Sequence, residues 1–277
     1  MMPELTPFAP IGIFDSGVGG LSVLRAIREA LPAEDLLYLA DQDHVPFGPR
    51  PLEQVRAFAE GIVRYLLDQE AKLIVVACNA ASAAALHYLR QTFPGISFVG
   101  MEPAVKPAAE HTRSGVVGVL ATPATFQGAL YASVLERFAN GVTVLQDTCP
   151  GLVAEIESGR LAATETRAIL EGALMPMLAN GIDTVVLGCT HYPFVIPLIQ
   201  EIVGPQVRVI DPAPAIARQV KRVLAGDGLL RTGESPGALC YQTSGDPVRL
   251  AEMLPGLTGA PGAVSRVRWI ATRLVAG

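Results

Sequence analysis

Short apolar runs alternate with longer stretches of helical apolar spacing along almost the whole chain, and this constrains the fold more than any other feature. Strands are expected at 10–14, 35–40, 72–77, 96–99, 115–120, 142–146, 183–187 and 207–210. Between them, 20–30, 51–69, 79–92, 123–138, 162–178, 192–203 and 212–225 carry the helical pattern. Such alternation is the signature of an α/β protein built on doubly wound parallel sheets. A weak internal repeat divides it in two. IGIFDSGVGG at 11–20 resembles VGVLATPATF at 117–126, each a β run ending in a hydroxyl-bearing turn at Ser16 or Thr122. We therefore expect two similar doubly wound domains related by pseudo-symmetry, with a site in the cleft between them. The pattern breaks near 100 and 211, at Gly100-Met101-Glu102-Pro103 and Asp211-Pro212. These breaks assign 1–100 plus 212–277 to one domain and 101–211 to the other. The polar, Gly-rich stretch 226–237 reads as a loop.

Two cysteines repeat in the same way. Cys78 in LIVVACNAASAAAL and Cys189 in TVVLGCTHYPF each close an apolar run and open a helix-like one. That is the carboxyl end of a strand, where open α/β sheets place ligands. A thiol there donates a proton or, once ionised, accepts one. Two thiols on one cleft can address opposite faces of a single carbon. Polar residues follow both: Asn79 after Cys78, Thr190 and His191 after Cys189. Cys149 and Cys240 lack such neighbours and are expected to be buried packing residues. His191 can relay a proton to Cys189. Asp15 and Ser16 in FDSGVGG read equally as a helix N-cap or as site residues, and the Gly-rich turn can bring N–H groups to an anion. In HVPFGPRP at 44–51, Pro46 and Gly48 stiffen a turn whose backbone near Phe47-Gly48 can hold a carboxylate; the bland alternative is a tight connection.

Composition narrows the classes. Charged residues make up 17% of the chain and half of it is apolar, so a core forms readily. The formal charge of −5 without a basic run argues against a nucleic-acid groove. No apolar run reaches the roughly 18 residues that span a bilayer, and MMPELTPFAP lacks the regions of a signal peptide, so a soluble cytoplasmic protein is expected. Four separated cysteines without C-x-x-C spacing point to free thiols in a reducing compartment. Lys72 and Lys221 read as surface residues, and nothing around Lys106 suggests a Schiff base, which argues against a pyridoxal cofactor. The four histidines show no metal-ligand spacing, and no nucleophile elbow, phosphate-binding loop or dinucleotide fingerprint is present.

Taken together, FDSGVGGLSVL (14–24), the P-F-G turn, VVACNAASAAAL (75–86), EPAVK (102–106), VGVLATPATF (117–126), VLGCTHYPF (186–194), IDPA (210–213) and TSGDP (243–247) resemble the glutamate racemases, cofactor-independent enzymes of bacterial cell-wall synthesis. The resemblance runs along nearly the whole chain and implies interconversion of L- and D-glutamate with neither cofactor nor metal. It places the catalytic thiols on Cys78, acting on the D-enantiomer, and Cys189, acting on the L-enantiomer. Asp15 would assist the first and His191 the second. A supporting glutamate falls on Glu157, with Glu155 as the alternative. Ser16, Asn79, Thr122, Thr125 and Thr190 match positions that hold the substrate, and Pro46 to Gly48 match a carboxylate-receiving turn. The family usually has Thr at Ala80 and Tyr at Phe47. If the missing hydroxyl at Ala80 binds substrate, its absence costs about 0.5–1.5 kcal/mol.

Three readings stay open at this level. The acidic substrate is glutamate, or aspartate, since pockets discriminate one methylene only about 10–200-fold. A weakly active homologue would instead bind a protein, as some family members inhibit DNA gyrase; a homodimer is also open. Last, the cysteines of a plain ligand-binding α/β protein would be structural.

Overall fold

The computed structural model describes residues 5–139, 141–233 and 235–277; the first four residues of the segment read for a signal peptide lie outside them. The chain begins β1 (Ile11–Asp15), α1 (Leu21–Ala30), β2 (Leu36–Ala40), α2 (Leu52–Asp68), β3 (Leu73–Val76), α3 (Asn79–Thr92) and β4 (Ser97–Gly100). It continues through α4 (Val105–His111), β5 (Val116–Ala121), α5 (Pro123–Gln127), α6 (Ala129–Phe138), β6 (Thr143–Asp147), α7 (Leu152–Glu157) and α8 (Thr164–Ala179). Then come β7 (Thr184–Gly188), a 3₁₀ turn (Tyr192–Val195), α9 (Ile196–Val203), β8 (Arg208–Ile210) and α10 (Ala213–Gly226). The last elements are β9 (Leu239–Thr243), α11 (Pro247–Thr258), β10 (Val264–Ile270) and β11 (Arg273–Ala276).

These strands form two sheets, ordered β11-β10-β9-β2-β1-β3-β4 and β6-β5-β7-β8. All pairs are parallel except β10 with β11. The repeat is visible in the topology, because β2-β1-β3-β4 and β6-β5-β7-β8 wind in the same order. In each sheet the winding reverses between the first and third strands of the repeat. Parallel strands covered on both faces need continuous apolar runs, and β1, β3 and β7 are buried along their whole lengths. Among the described residues, no helix is long and apolar enough to cross a membrane.

Several expectations need correction. The helix expected over 123–138 is two, because the chain bends at Gly128, where a Cβ would come within 2.6 Å of Ala83 on α3. The helix expected over 192–203 opens as a 3₁₀ turn. Pro193 and Pro197 lack the N–H groups that a continuous α-helix would use there. Cys240 is exposed rather than packed. Lys72 is fully buried, not a surface residue: its Nζ donates to Glu34 Oε2 and to the Pro7 carbonyl, both at 2.5 Å. Arg231 N–H donates to the other Glu34 oxygen at 2.8 Å, so one ion pair ties the chain's start to the loop before β9. Lys106 is exposed, beside Glu110 and over the Phe138 ring.

After β8 the chain returns to the larger sheet. α10 packs on α1, β9 pairs with β2, and β10 and β11 extend the edge. α11 has clear end signals: the Asp246 side chain accepts from Val248 N–H at 2.9 Å, Pro247 opens the first turn, and Gly259 closes the helix at φ 82°.

Candidate active site

The winding reversals of the two sheets bring four strand ends together. β1 ends at Asp15 and runs into Ser16; β3 leads through Ala77 to Cys78, the residue before α3. β5 leads to Thr122 before α5, and β7 ends at Gly188 before Cys189. A narrow cleft between them is lined by both thiols, Ser16, Pro46, Phe47, Gly48, Asn79, Ala80, Thr122, Thr190, His191 and Val153. Val153 is the one lining residue that the sequence reading did not include. Three other expected residues stand behind the wall. Asp15 lies beside Cys78, Thr125 Oγ1 is 3.2 Å from Thr122 Oγ1, and Glu157 backs His191.

The turn after β1 fits because it has no side chains where the carboxylates and imidazole pass. A Cβ on Gly17 would overlap the Glu157 carboxylate, and one on Gly19 would come within 2.5 Å of His191 Nδ1 and 2.8 Å of Asp15 Oδ2. The turn's N–H groups are turned partly onto the protein's own acids. Gly20 N–H donates to Asp15 Oδ2 and Val18 N–H to Glu157 Oε1, both at 2.7 Å. Asp15 is therefore not the N-cap of α1, whose flanking residue is Gly20; it holds the N–H of that residue from five positions upstream.

The thiols have different support. Burial pushes the Cys78 thiol well up, and the adjacent Asp15 carboxylate adds to that, so Cys78 rests protonated. Asp15 itself is raised by burial, against the pull of His191. On the other side, Cys189 Sγ is 3.7 Å from His191 Nδ1, and His191 Nε2 is 2.6 Å from Glu157 Oε1. Burial opposes charge on both partners of that pair. Contacts to Cys189 and Glu157 nonetheless push His191 well above its ordinary range, and His191, Val18 N–H and Gln42 hold Glu157 below its own. Glu155, the alternative supporting acid, is turned instead to Arg160, which it pairs with at 2.7 Å.

The cleft also holds unspent polar groups. Both polar atoms of the buried Asn79 side chain, and Asp15 Oδ1, lack hydrogen-bond partners within the protein. Buried groups of this kind are normally satisfied, so they point to a polar guest. Phe47 borders the cleft, but its ring is 1% exposed and packs 5.7 Å from Phe58, while Gly48 O accepts from Ala124 N–H at 3.0 Å. The turn thus bridges the two units. An adjoining hollow shares Pro46, Gly48, Thr122 and Val153 with the cleft and runs past the buried Cys149. Among the described residues, no cluster of three or more His, Cys, Asp or Glu side chains is arranged to hold a metal ion.

Residues 11–220 match the Asp/Glu/Hydantoin racemase family. The glutamate racemase of Roseiflexus sp. (strain RS-1) is 52% identical over 246 residues, covering 88% of this chain and 90% of that protein. Among solved structures, glutamate racemase isoform RacE1 from Bacillus anthracis aligns with a TM-score of 0.86 at 30% identity, covering 96% of this chain and 98% of that one. The glutamate racemase of Francisella tularensis subsp. tularensis SCHU S4, in complex with D-glutamate, aligns at 0.82 and 27% identity, covering 94% and 98%. With paired thiols at the equivalent strand ends of a repeated α/β unit and this degree of likeness along nearly its full length, the chain belongs to the Asp/Glu/hydantoin racemase family and, within it, to the glutamate racemases.

Proposed function

We propose that this chain interconverts L- and D-glutamate by a two-thiol mechanism, with Cys189 working on the L-enantiomer and Cys78 on the D-enantiomer. The carrying observation is the pair of buried thiols opening on one cleft, each with its own carboxylate support. In the L-to-D direction the Cys189 thiolate, partnered by protonated His191, removes the α-proton. The Cys78 thiol then delivers its proton to the opposite face. The two sulfurs exchange protonation states in each turnover. The α-proton beside a carboxylate is weakly acidic, so fixed donors must hold the developing negative charge. Asn79, with its unpartnered amide, Ser16, Thr122 and Thr190 supply such donors around the cleft, and the Pro46–Gly48 turn takes a carboxylate. Thr125 orients Thr122. The mechanism calls on neither metal nor pyridoxal phosphate.

The two working units are taken as 1–100 plus 212–277 and 101–211, with the cleft between them. Supply of D-glutamate for peptidoglycan in the cytoplasm, where thiols stay reduced, is the cellular role this reading implies. Cys78→Ala and Cys189→Ala test it. Each is expected to lose racemisation by roughly 10²–10⁴-fold, the range a positioned acid–base group contributes. In D2O, Cys78→Ala should still exchange the α-proton of L-glutamate without forming D-glutamate, and Cys189→Ala should do so only with D-glutamate. Undiminished racemisation by either variant overturns the two-thiol assignment.

A further inference from the structure

The Cys189 side is backed by a series of hydrogen bonds that starts far from it in the chain and converges on Glu157. Glu157 stands on α7, in the unit of the smaller sheet, but two donors to its carboxylate come from the other unit: Val18 N–H on Oε1 and Gln42 Nε2 on Oε2, at 2.7 and 3.3 Å. A glutamine beside a carboxylate can present its amide or its oxygen, and only the amide helps. Thr243, the last residue of β9, decides which. Its Oγ1 accepts from Gly245 N–H at 3.0 Å, so its own proton turns to Gln42 Oε1 at 2.8 Å. That leaves Gln42 Nε2 facing Glu157, then His191, then Cys189. The bonds from Gly245 to Thr243, Thr243 to Gln42 and Gln42 to Glu157 run in one sense and polarise each other, and they converge with the His191 Nε2–H on the accepting carboxylate. Among the described residues Cys78 has no comparable series; its neighbour is the Asp15 carboxylate itself.

β9 has no counterpart in the smaller sheet, so this support lies outside the repeated part of the fold. The charged and titratable groups around Glu157 and His191 are Asp15, Cys189, Tyr38 and Arg249, the last donating to the Glu157 backbone carbonyl at 3.2 Å. We propose that Gln42, held in one amide orientation by Thr243, is a positioning residue for the Cys189 half of the reaction, keeping the Glu157 carboxylate aimed at His191. This rests on the two-thiol racemase reading above.

Because the equilibrium constant of a racemisation is 1, any variant loses kcat/KM equally in both directions, and rates alone cannot tell one side from the other. Primary deuterium isotope effects can. For Gln42→Leu we expect kcat to fall about tenfold, part of the roughly 10²–10⁴-fold that a positioned acid–base group supplies. KM should stay within about twofold, since a positioning residue of this kind does not touch substrate. Slowing only the Cys189 step should raise the isotope effect on kcat/KM for α-deuterated L-glutamate and lower it towards unity for the D-enantiomer. Thr243→Val, which keeps the glutamine, should show the same asymmetry with a smaller fall, and it carries the test if Gln42→Leu does not fold. Isotope effects that stay unchanged, or rise together, while the natural chain racemises would overturn the positioning role and leave the racemase reading standing. A natural chain that does not racemise overturns both.

Discussion

The two thiols differ through single neighbours. Cys78 is kept protonated by burial and by Asp15, while Cys189 answers to His191, whose charge depends on Glu157. The His191–Glu157 pair has a definite pH window. His191 is raised above its ordinary 6.5, so its share of stability is complete below that value and is lost as pH rises through the elevated one. Glu157 is depressed below its ordinary 4.5, so its share is complete above that value and is lost as pH falls through the depressed one. Urea melts of the natural chain and Glu157→Gln should therefore differ most between about pH 5 and 6.5, and converge on acidification. A gap that widens on acidification would contradict the charged pair. Much of the site was legible because the motifs themselves are local: Cys78-Asn79, Cys189-Thr190-His191 and FDSGVGG each occupy one strand end. Gln42, Thr243 and Val153 were not, since each matters through a partner more than 100 residues away or on another element. The choice between Glu155 and Glu157 also needed geometry, because both lie on the same short helix and only their partners differ.

At the scale of elements, the repeated strands were readable because a parallel strand covered on both faces is a continuous apolar run, as in LIVV and TVVLG. The chain's return after 212 was readable, but the strands it adds to the larger sheet were not. β10, VSRVRWI, alternates charged and apolar residues and lies near the sheet edge, and β9 begins with a partly covered residue next to the exposed Cys240. Neither gives the strong signal of a buried strand. Lys72 misled for a related reason: its partner Glu34 lies 38 residues earlier, beyond any local pattern. That buried pair gives a direct stability prediction. Removing one partner of a buried ion pair typically costs about 3–5 kcal/mol, whereas replacing both by apolar residues often costs little. Lys72→Met should lower unfolding free energy by about that much, with Lys72→Met combined with Glu34→Leu recovering a large part of it. Equal stability of Lys72→Met and the natural chain, measured by denaturant melts, would contradict the pairing. Its effect on racemisation should be small at temperatures where the variant stays folded, since the pair lies at the β3 start rather than at the site end of the strands.

Across the whole molecule, two units each bring one thiol to a shared cleft. Several contacts that join the units belong to the site itself: Glu157 with Val18 and Gln42, Gly48 O with Ala124, and Ser22 Oγ with the Thr190 carbonyl at 3.0 Å. The same contacts that hold the units together therefore hold the support of Cys189 in place. Ala80 offers the cleft no hydroxyl next to Asn79, and Phe47 turns its ring into the core. The most direct test is proton NMR of L-glutamate, and separately of L-aspartate, with the purified chain in D2O and no added cofactor, followed by chiral analysis. Loss of the L-glutamate α-proton signal together with the appearance of deuterated D-glutamate is the predicted result. An unchanged α-proton at high enzyme concentration, with no D-glutamate formed, would contradict the two-thiol racemase.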